Sequence, residues 1–574
     1  MKTKIIIAIG IILIATIFGG LIWWGSMVEQ MTSDTYNAQV TGQMAGFPCH
    51  QMGGVWMGDC VYDENGDVVL DTEGKPISME DSMRDAGQQS GEEFSTDTAG
   101  LSGVLPTRVV ELQDGDTYEL SAGYVKQNID GKEVRRLAYN GMIPGPTIKT
   151  KKGSRVDVTF KNNLDFETTV HAHGLRGESQ FDGVPKSMGG EQDPMKPGES
   201  FTYSWDFPDT GLFWYHPHIR TDYTTDAGLY GNFWVTEDGY WNNVDKEELL
   251  VLDDMKIDEP FFINRAVKTL MGRFGDIMMI NNQTDYNLAI ATGETVRFFM
   301  TNTANTRTFD VSINGADMKL VGSDIGRVEQ EEMVDSIIIA PSERYIFEAS
   351  FEKPGTYRIT SRNRVLGTIT VSGTEKSVVD SELRTSSADF MIINDSLPEL
   401  LSKPADKRLV IDIDMPSMGM IGSGTTGGMM GGNHGDEAPH GDEGIEWEDE
   451  MAMMNATTDS NNLTWILRDV DTGAENRDIN WTFKKDSLTK IEIYNDPKSM
   501  HPMQHPIHFH GQKLAVISRN GEPVDSLQWE DTVLVRTGEK IEVVLQATNA
   551  GTWLAHCHIN EHAESGMKFN FTVE

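Results

Sequence analysis

One phrase recurs three times along this 574-residue chain. Lys196-Pro-Gly-Glu-Ser-Phe-Thr-Tyr203 is echoed by Ala340-Pro-Ser-Glu-Arg-Tyr-Ile-Phe347 and by Arg536-Thr-Gly-Glu-Lys-Ile-Glu-Val543. Each copy leads to a glycine and an aromatic-bearing run: Gly211-Leu-Phe-Trp-Tyr-His216, Gly355-Thr-Tyr-Arg-Ile359 and Gly551-Thr-Trp-Leu-Ala-His556. The shared form is a turn, an edge strand, then glycine and a second strand. An internal repeat of this length marks one domain type present in several copies. Between the copies run short alternations such as Arg155-Val-Asp-Val-Thr-Phe160 and, less cleanly, Lys540-Ile-Glu-Val-Val-Leu-Gln546. Further strands are expected at 295–299, 336–339 and 345–349, separated by Gly, Asn, Asp and Pro. Side chains of period two punctuated by turn residues belong to all-β sandwiches. The reading is three sandwich domains, at 106–240, 241–385 and 386–574.

Two stretches stand outside that pattern. Lys2 and Lys4 precede an uncharged run over residues 5–24. Twenty helical residues span about 30 Å, a bilayer core, whereas a cleaved signal has an apolar stretch of about 7–15 residues. Trp23 and Trp24 suit the far interface. Residues 1–30 are therefore expected to be a membrane anchor or signal segment, with the remainder extracytoplasmic, in the periplasm or at the cell surface. Residues 31–105 read as an acidic arm and linker. Cys49 and Cys60 in this arm have two readings, a disulfide in an oxidising space or a soft thiol–thioether copper site with the neighbouring methionines. The second stretch, 415–454, interrupts the third domain with eight Met, ten Gly, eight acidic residues, His434 and His440. It has no apolar periodicity with which to build a core. The charge of −40 repels phosphate backbones and argues against a nucleic-acid partner.

The fourteen histidines are grouped. They fall at 171 and 173, at 216 and 218, at 501, 505, 508 and 510, and at 556, 558 and 562, with 50, 434 and 440 apart. None lies between His218 and His434, so the middle domain has no His/Cys metal site of its own. In a strand, alternate side chains share a face. His556 and His558 then point one way and Cys557 the other, which joins two metal pockets through a few covalent bonds. His562 and Met567 follow, and two His, a Cys and a weak Met form a blue-copper set with His505 as the remaining imidazole. The pairs 171/173, 216/218, 508/510 and 556/558 supply eight further imidazoles. Eight nitrogens suit three coppers, and imidazole favours copper among divalent ions. Zinc sites take about four ligands and leave most of this set unexplained.

These residues resemble the multicopper oxidase family. The likeness rests on Gly141-Met-Ile-Pro-Gly-Pro-Thr-Ile148, His171-Ala-His173-Gly174, Asp182-Gly-Val-Pro185, Trp214-Tyr-His216-Pro-His218, His505-Pro-Ile-His508-Phe-His510-Gly511 and His556-Cys-His558-Ile-Asn-Glu-His562-Ala-Glu-Ser-Gly-Met567. It covers roughly 106–574 and implies three cupredoxin-like Greek-key β-sandwiches and four copper ions. By resemblance His505, Cys557 and His562, with axial Met567, hold type 1 copper. His171 and His508 match the type 2 site, and His173, His216, His218, His510, His556 and His558 the type 3 pair. The family oxidises substrate one electron at a time at type 1 and reduces O2 to water at the trinuclear cluster. Asp182, eleven residues after His171, stands where the family often has a carboxylate near that cluster, and it also reads as a turn residue. Many copper-efflux members carry an acid directly after the last type 1 histidine. Here that position is Ala563, which leaves Glu561 and Glu564 as candidates for proton delivery.

The insertion resembles that of copper-efflux (cuprous) oxidases. Thioether sulfur suits Cu(I), and the expected substrate-binding residues are Met415, Met418, Met420, Met429 and Met430, with Met500 and Met503 beside the type 1 site. The alternative is a laccase-like phenol oxidase or a ferroxidase or manganese oxidase. Its basis is the acidic surface with Glu446, Glu448, Asp449 and Glu450, which are hard oxygen ligands suited to Fe(II) or Mn(II).

Overall fold

The computed structural model describes residues 94–257, 266–373, 382–415 and 444–574, with the backbone of two short strands, His50–Met52 and Val55–Met57. Those two strands pair as an antiparallel hairpin, His50 opposite Met57, within a separate unit of residues 1–93. The segment at 1–30, the Cys49–Cys60 pairing and Met418, Met420, Met429 and Met430 lie outside the described residues. Among the described residues no helix is long and apolar enough to cross a membrane.

Residues 94–574 contain three β-sandwiches. The first has sheets of five and four strands, and the second and third each have sheets of six and five. Every one of these six sheets contains a parallel pair, for example Phe233 beside Ile148, Val251 beside Thr301 and Trp481 beside Phe571. Parallel neighbours cannot be joined by a tight hairpin, so the chain must cross between sheets. That crossing gives the Greek-key path of cupredoxin-like domains.

Alternation decides which face is buried. In strand Arg155–Asn162 the residues Val156, Val158, Phe160 and Asn162 are buried, while Arg155 and Lys161 are exposed. Each apolar side chain so buried contributes about 1.5–3 kcal/mol. Strand Lys540–Ala547 alternates less cleanly for a physical reason. Ile541, Val543, Leu545 and Ala547 enter the third-domain core, whereas Val544 on the opposite face joins a cluster shared with the first domain. Lys540, Glu542 and Gln546 share that opposite face and are half-buried, so the alternation is broken at Val544 alone.

The recurrent phrase is the same structure three times. Strands Ser200–Asp206, Arg344–Ser350 and Lys540–Ala547 are followed by Gly211–His216, Gly355–Ser361 and Gly551–Cys557. The opening glycines have φ of +150°, +154° and +138°. A Cβ on Gly355 would meet nothing within 4 Å, so there the backbone angle alone selects glycine.

Three boundaries differ from the sequence reading. Residues 94–105 lie along the first sandwich: Phe94 stacks on Tyr223 at 3.5 Å between centroids, and Leu105 bridges to Met142. Short helical turns fill 387–402, where Phe390, Ile393 and Leu400 join an apolar cluster shared by the first and third domains and Phe390 stacks on Trp529. The insertion is shorter than 415–454. Met415 is a core residue, Ile445 packs with Ala340 and Leu534, and Asn455 is buried.

Candidate metal centres

Strand pairing assembles the imidazoles. His171–His173 runs antiparallel to Gly211–His216, with His216 opposite His171. His505–Phe509 runs antiparallel to Gly551–Cys557, with His508 opposite His556 and Ile507 opposite Cys557. The first and third domains thereby bring eight imidazoles to one buried place. His171, His173 and His216 form one group whose ligand atoms lie within 4.8 Å of one another, His171, His508 and His510 a second, and His218, His510 and His556 a third. His558 completes the set, with its ring 5.1 Å from His173 and 5.2 Å from His216. Among the described residues, no group of this kind includes a side chain of the middle domain.

Hydrogen bonds fix which nitrogen faces inward. The Nδ1 atoms of His171, His216, His508 and His556 donate to the carbonyl oxygens of Asp182, Pro217, Asp531 and Cys557 at 2.6–2.8 Å. A carbonyl only accepts, so Nε2 keeps its lone pair. His510 Nδ1 donates to Asp182 Oδ2 at 2.8 Å. His173 is turned the other way: Nε2 donates to Asp531 Oδ1 at 2.9 Å and Nδ1 faces inward. Burial, followed for His173 and His556 by the neighbouring His508, holds both rings well below the ordinary imidazole range and therefore neutral. Burial does the same to His216, His218, His510 and His558.

The inward nitrogens demand a cation. The Nε2 atoms of His171, His216, His508 and His558 and Nδ1 of His173 are buried without a hydrogen-bond partner. Each such orphan costs about 1–3 kcal/mol in an empty pocket. His510 Nε2 and His556 Nε2, both lone-pair donors in these tautomers, face each other at 3.1 Å. Neutral imidazoles clustered in this way fit copper ions.

The second pocket lies within the third domain. Cys557 Sγ is 3.6 Å from His505 Nδ1 and 3.8 Å from His562 Nδ1, and the two nitrogens are 3.2 Å apart. All three residues are fully buried. Burial pushes the Cys557 thiol up and, with His501 adding to it, the His505 imidazole down to about 3. A bound cation reverses the penalty on the thiolate. Met567 is buried in the same core, its backbone bonded to Cys557 at 3.1 Å and to His562 at 3.0 Å. A thiolate, two imidazoles and a thioether fit a blue-copper ion.

Other expected residues are distributed unevenly. Asp182 touches both His171 and His510, so it stands at the cluster. Glu561 and Glu564 bond elsewhere. Glu561 Oε1 accepts from Asn305 Nδ2 at 2.7 Å, and Glu564 Oε1 from Thr221 Oγ1 at 3.4 Å. Met415 and Met503 are not surface thioethers. They are 3% and 0% exposed because the strand ending at Asp414 and the Asn495 bond to the Met503 carbonyl fix them in the apolar core. Met500 is exposed.

Sequence reasoning missed Asp531 and Trp465. Asp531 is the acid within Trp529-Glu-Asp-Thr-Val533, where a fully buried strand begins at Thr532, and a charge in such a run is its only signal. The Trp465 ring stacks on His562 at 4.3 Å and meets His505 edge-on at 4.6 Å, and Nε1 donates to Thr269 O of the middle domain at 2.7 Å.

Fold and pockets together define a copper oxidoreductase built of cupredoxin domains. Family models described as multicopper oxidase match residues 121–239, 233–378 and 448–574. A multicopper oxidase (mco) of Staphylococcus haemolyticus is 26% identical over 445 residues, covering 75% of this chain and 82% of the relative. A laccase of Trametes hirsuta is 27% identical, covering 80% and 90% respectively. Among solved structures, a metallo-oxidase of Campylobacter jejuni has a TM-score of 0.60 at 22% identity, covering 84% of this chain and 99% of that one, a likeness of fold. The chain belongs to the multicopper oxidase family, whose members use copper ions of types 1, 2 and 3 and O2 as oxidant.

Proposed function

We propose that this oxidase acts on Cu(I), and that its ligands divide between the two pockets as the motifs imply. Type 1 copper takes His505, Cys557, His562 and Met567. Type 2 takes His171 and His508, and the type 3 pair takes His173, His216, His218, His510, His556 and His558. When bound, copper supplies the one-electron chemistry, so that four substrate oxidations deliver four electrons to O2 and, with four protons, yield two waters. Cys557 stands between His556 and His558 in sequence, so the pockets are linked by a few covalent bonds. Asp182 holds two imidazoles and is placed to carry a proton at its carboxylate. Glu561 and Glu564 have no such contact, and Asp182 is the stronger candidate.

The observation that carries the Cu(I) reading is the cover over the type 1 pocket. His505 and His562 are both 0% exposed. Middle-domain Leu270, Met271 and Phe274 join the same apolar core as Cys557 and Met567, Met451 and Met454 pack against it, and Met271 Sδ lies 2.9 Å from His501 Nε2. A bulky phenol has no imidazole edge to touch, whereas a soft ion can be passed between thioethers. Met453 and Met500 are exposed. The acidic group supports an iron reading less well. Glu448 is paired with Arg307 and Arg364, and Asp449 accepts from the Met451 N–H and from Asn455 Nδ2. A relative named iron transport multicopper oxidase, from Gibberella zeae, keeps that reading worth testing. The residues at 5–24 support an extracytoplasmic location.

The test is O2 uptake by the copper-loaded protein with Cu(I), Fe(II) and a phenol, with and without residues 416–443. Deleting 415–454 would remove core residues and confuse loss of folding with loss of substrate. Cu(I) oxidation should fall while phenol oxidation holds or rises. Equal loss on both substrates would sink the reading.

A further inference from the structure

The middle domain supplies none of the imidazoles, yet it reaches the trinuclear pocket. We propose that Arg344 is a positioning residue for that pocket, acting through Asp531 on His173 and His508. The proposal rests on the assignment of those two histidines to trinuclear copper.

Arg344 is fully buried at the start of strand Arg344–Ser350. Its guanidinium joins all three domains. Nε donates to Leu212 O of the first domain at 2.9 Å, and Nη1 to Ser342 O of its own domain at 2.8 Å. Nη1 also donates to Asp531 Oδ1 of the third domain at 2.9 Å, and Nη2 bonds Asp531 Oδ2. This bidentate pair fixes the carboxylate plane as a single ammonium would not. Asp324, again from the middle domain, grips the other side. Its Oδ1 accepts the Arg344 N–H at 2.7 Å, and its Oδ2 accepts the N–H groups of Asp531 at 3.0 Å and Thr532 at 3.2 Å.

Asp531 therefore has its side chain and its backbone held at once. What it holds in turn are two ligands. Its carboxylate sets the proton of His173 on Nε2, which leaves Nδ1 for the metal, and its carbonyl orients His508. Thr532 Oγ1 lies 3.1 Å from His173 Nε2 and 3.3 Å from His508 Nδ1. Space around the clamp is fully used. A Cβ on Gly174 would fall 2.2 Å from Asp531 Oδ2 and 2.9 Å from Arg344 Nη2. None of these contacts touches His505, Cys557 or His562, so a positioning role separates from general stability.

The test is Arg344→Lys in the copper-loaded protein under chelator competition. It reads the type 2 electron paramagnetic resonance signal, the copper-to-protein ratio and the type 1 blue absorbance. Trinuclear copper should be held about 10–100-fold less tightly, the usual cost of losing a partner that orients a ligand. The blue absorbance should stay at its original intensity. An unchanged type 2 signal would overturn the proposal, and so would parallel loss from both pockets. If Arg344→Lys does not fold, Asp324→Asn decides, since it keeps the side-chain shape but leaves one oxygen too few to accept from Arg344, Asp531 and Thr532 N–H together. Full retention of type 2 copper in Asp324→Asn overturns the proposal as well. Failure of the underlying assignment looks different, because His173→Ala would then keep all its trinuclear copper.

Discussion

The two metal pockets are built on different principles. The pocket proposed for type 1 copper draws Cys557, His505, His562 and Met567 from one domain, and its geometry is set by a strand pair and the short helix Asn560–Glu564. The pocket proposed for trinuclear copper draws four imidazoles from the first domain and four from the third, so it exists only when those domains dock. The middle domain serves each pocket by a different route. It meets the type 1 side through Thr269 and Trp465, and the trinuclear side through Arg344 and Asp531. The first pocket is thus a property of one folded unit, and the second is a property of an interface.

The largest expected effect tests whether the pockets separate. Cys557→Ser should abolish the blue absorbance and lower turnover on the order of 10³-fold or more, as removing one member of a catalytic unit does. The type 2 signal should persist. Loss of both signals would mean that the trinuclear pocket depends on an occupied type 1 site, which would break the comparison. Gly174→Ala attacks the other side. Gly174 has φ +82°, and the added Cβ would collide with Asp531. A residue forced into this region costs of order 1–3 kcal/mol, and the clamp must shift besides. Thermal stability should fall, with trinuclear copper lost before type 1 copper in a chelator titration.

This difference also explains what could be read from the sequence. Cys557, His562 and Met567 could be grouped from the sequence because they lie within one short stretch, whereas His505, 52 residues before Cys557, had to be drawn from the other histidine cluster. The eight imidazoles were legible as pairs, although only His171–His173 lies wholly in a strand, and His218, His510 and His558 each follow the end of theirs. What the pairs could not report was which nitrogen faces inward, because that depends on carbonyl partners such as Asp182 O and Asp531 O. Arg344 and Asp324 were invisible for a related reason. They belong to a domain without ligands, and only docking places them at the pocket. The methionine reading failed in part because composition does not distinguish a thioether in a core, as at Met503, from one on a surface, as at Met500.

A smaller effect is expected from the ring over the type 1 pocket. Trp465→Leu removes a stacked surface from His562 and the bond to Thr269 O. Water then gains access, and hydration favours the more highly charged Cu(II), so the type 1 potential should fall. Redox titration of the blue absorbance checks this, and an unchanged potential would show that Trp465 only fills space. The type 2 signal should not move.

The smallest effect is a pH dependence confined to the type 1 side. The Glu446 backbone N–H donates to Gln504 Oε1 at 2.8 Å and its carbonyl accepts from Gln504 Nε2 at 3.1 Å, Gln504 being the neighbour of His505. Burial, and secondarily Glu450, pushes its carboxyl up from 4.5 to about 7. A carboxyl raised in this way favours folding in its protonated form. Its contribution is fully present below 4.5 and is lost as pH rises through about 7. Glu446→Gln keeps the neutral form at every pH. The variant should match the parent near pH 4 and exceed its stability above pH 7 by at most about 3 kcal/mol. Unfolding followed at both pH values measures the gap. If Glu446→Gln is instead less stable at high pH, the ionised carboxylate has a partner worth more than its burial costs.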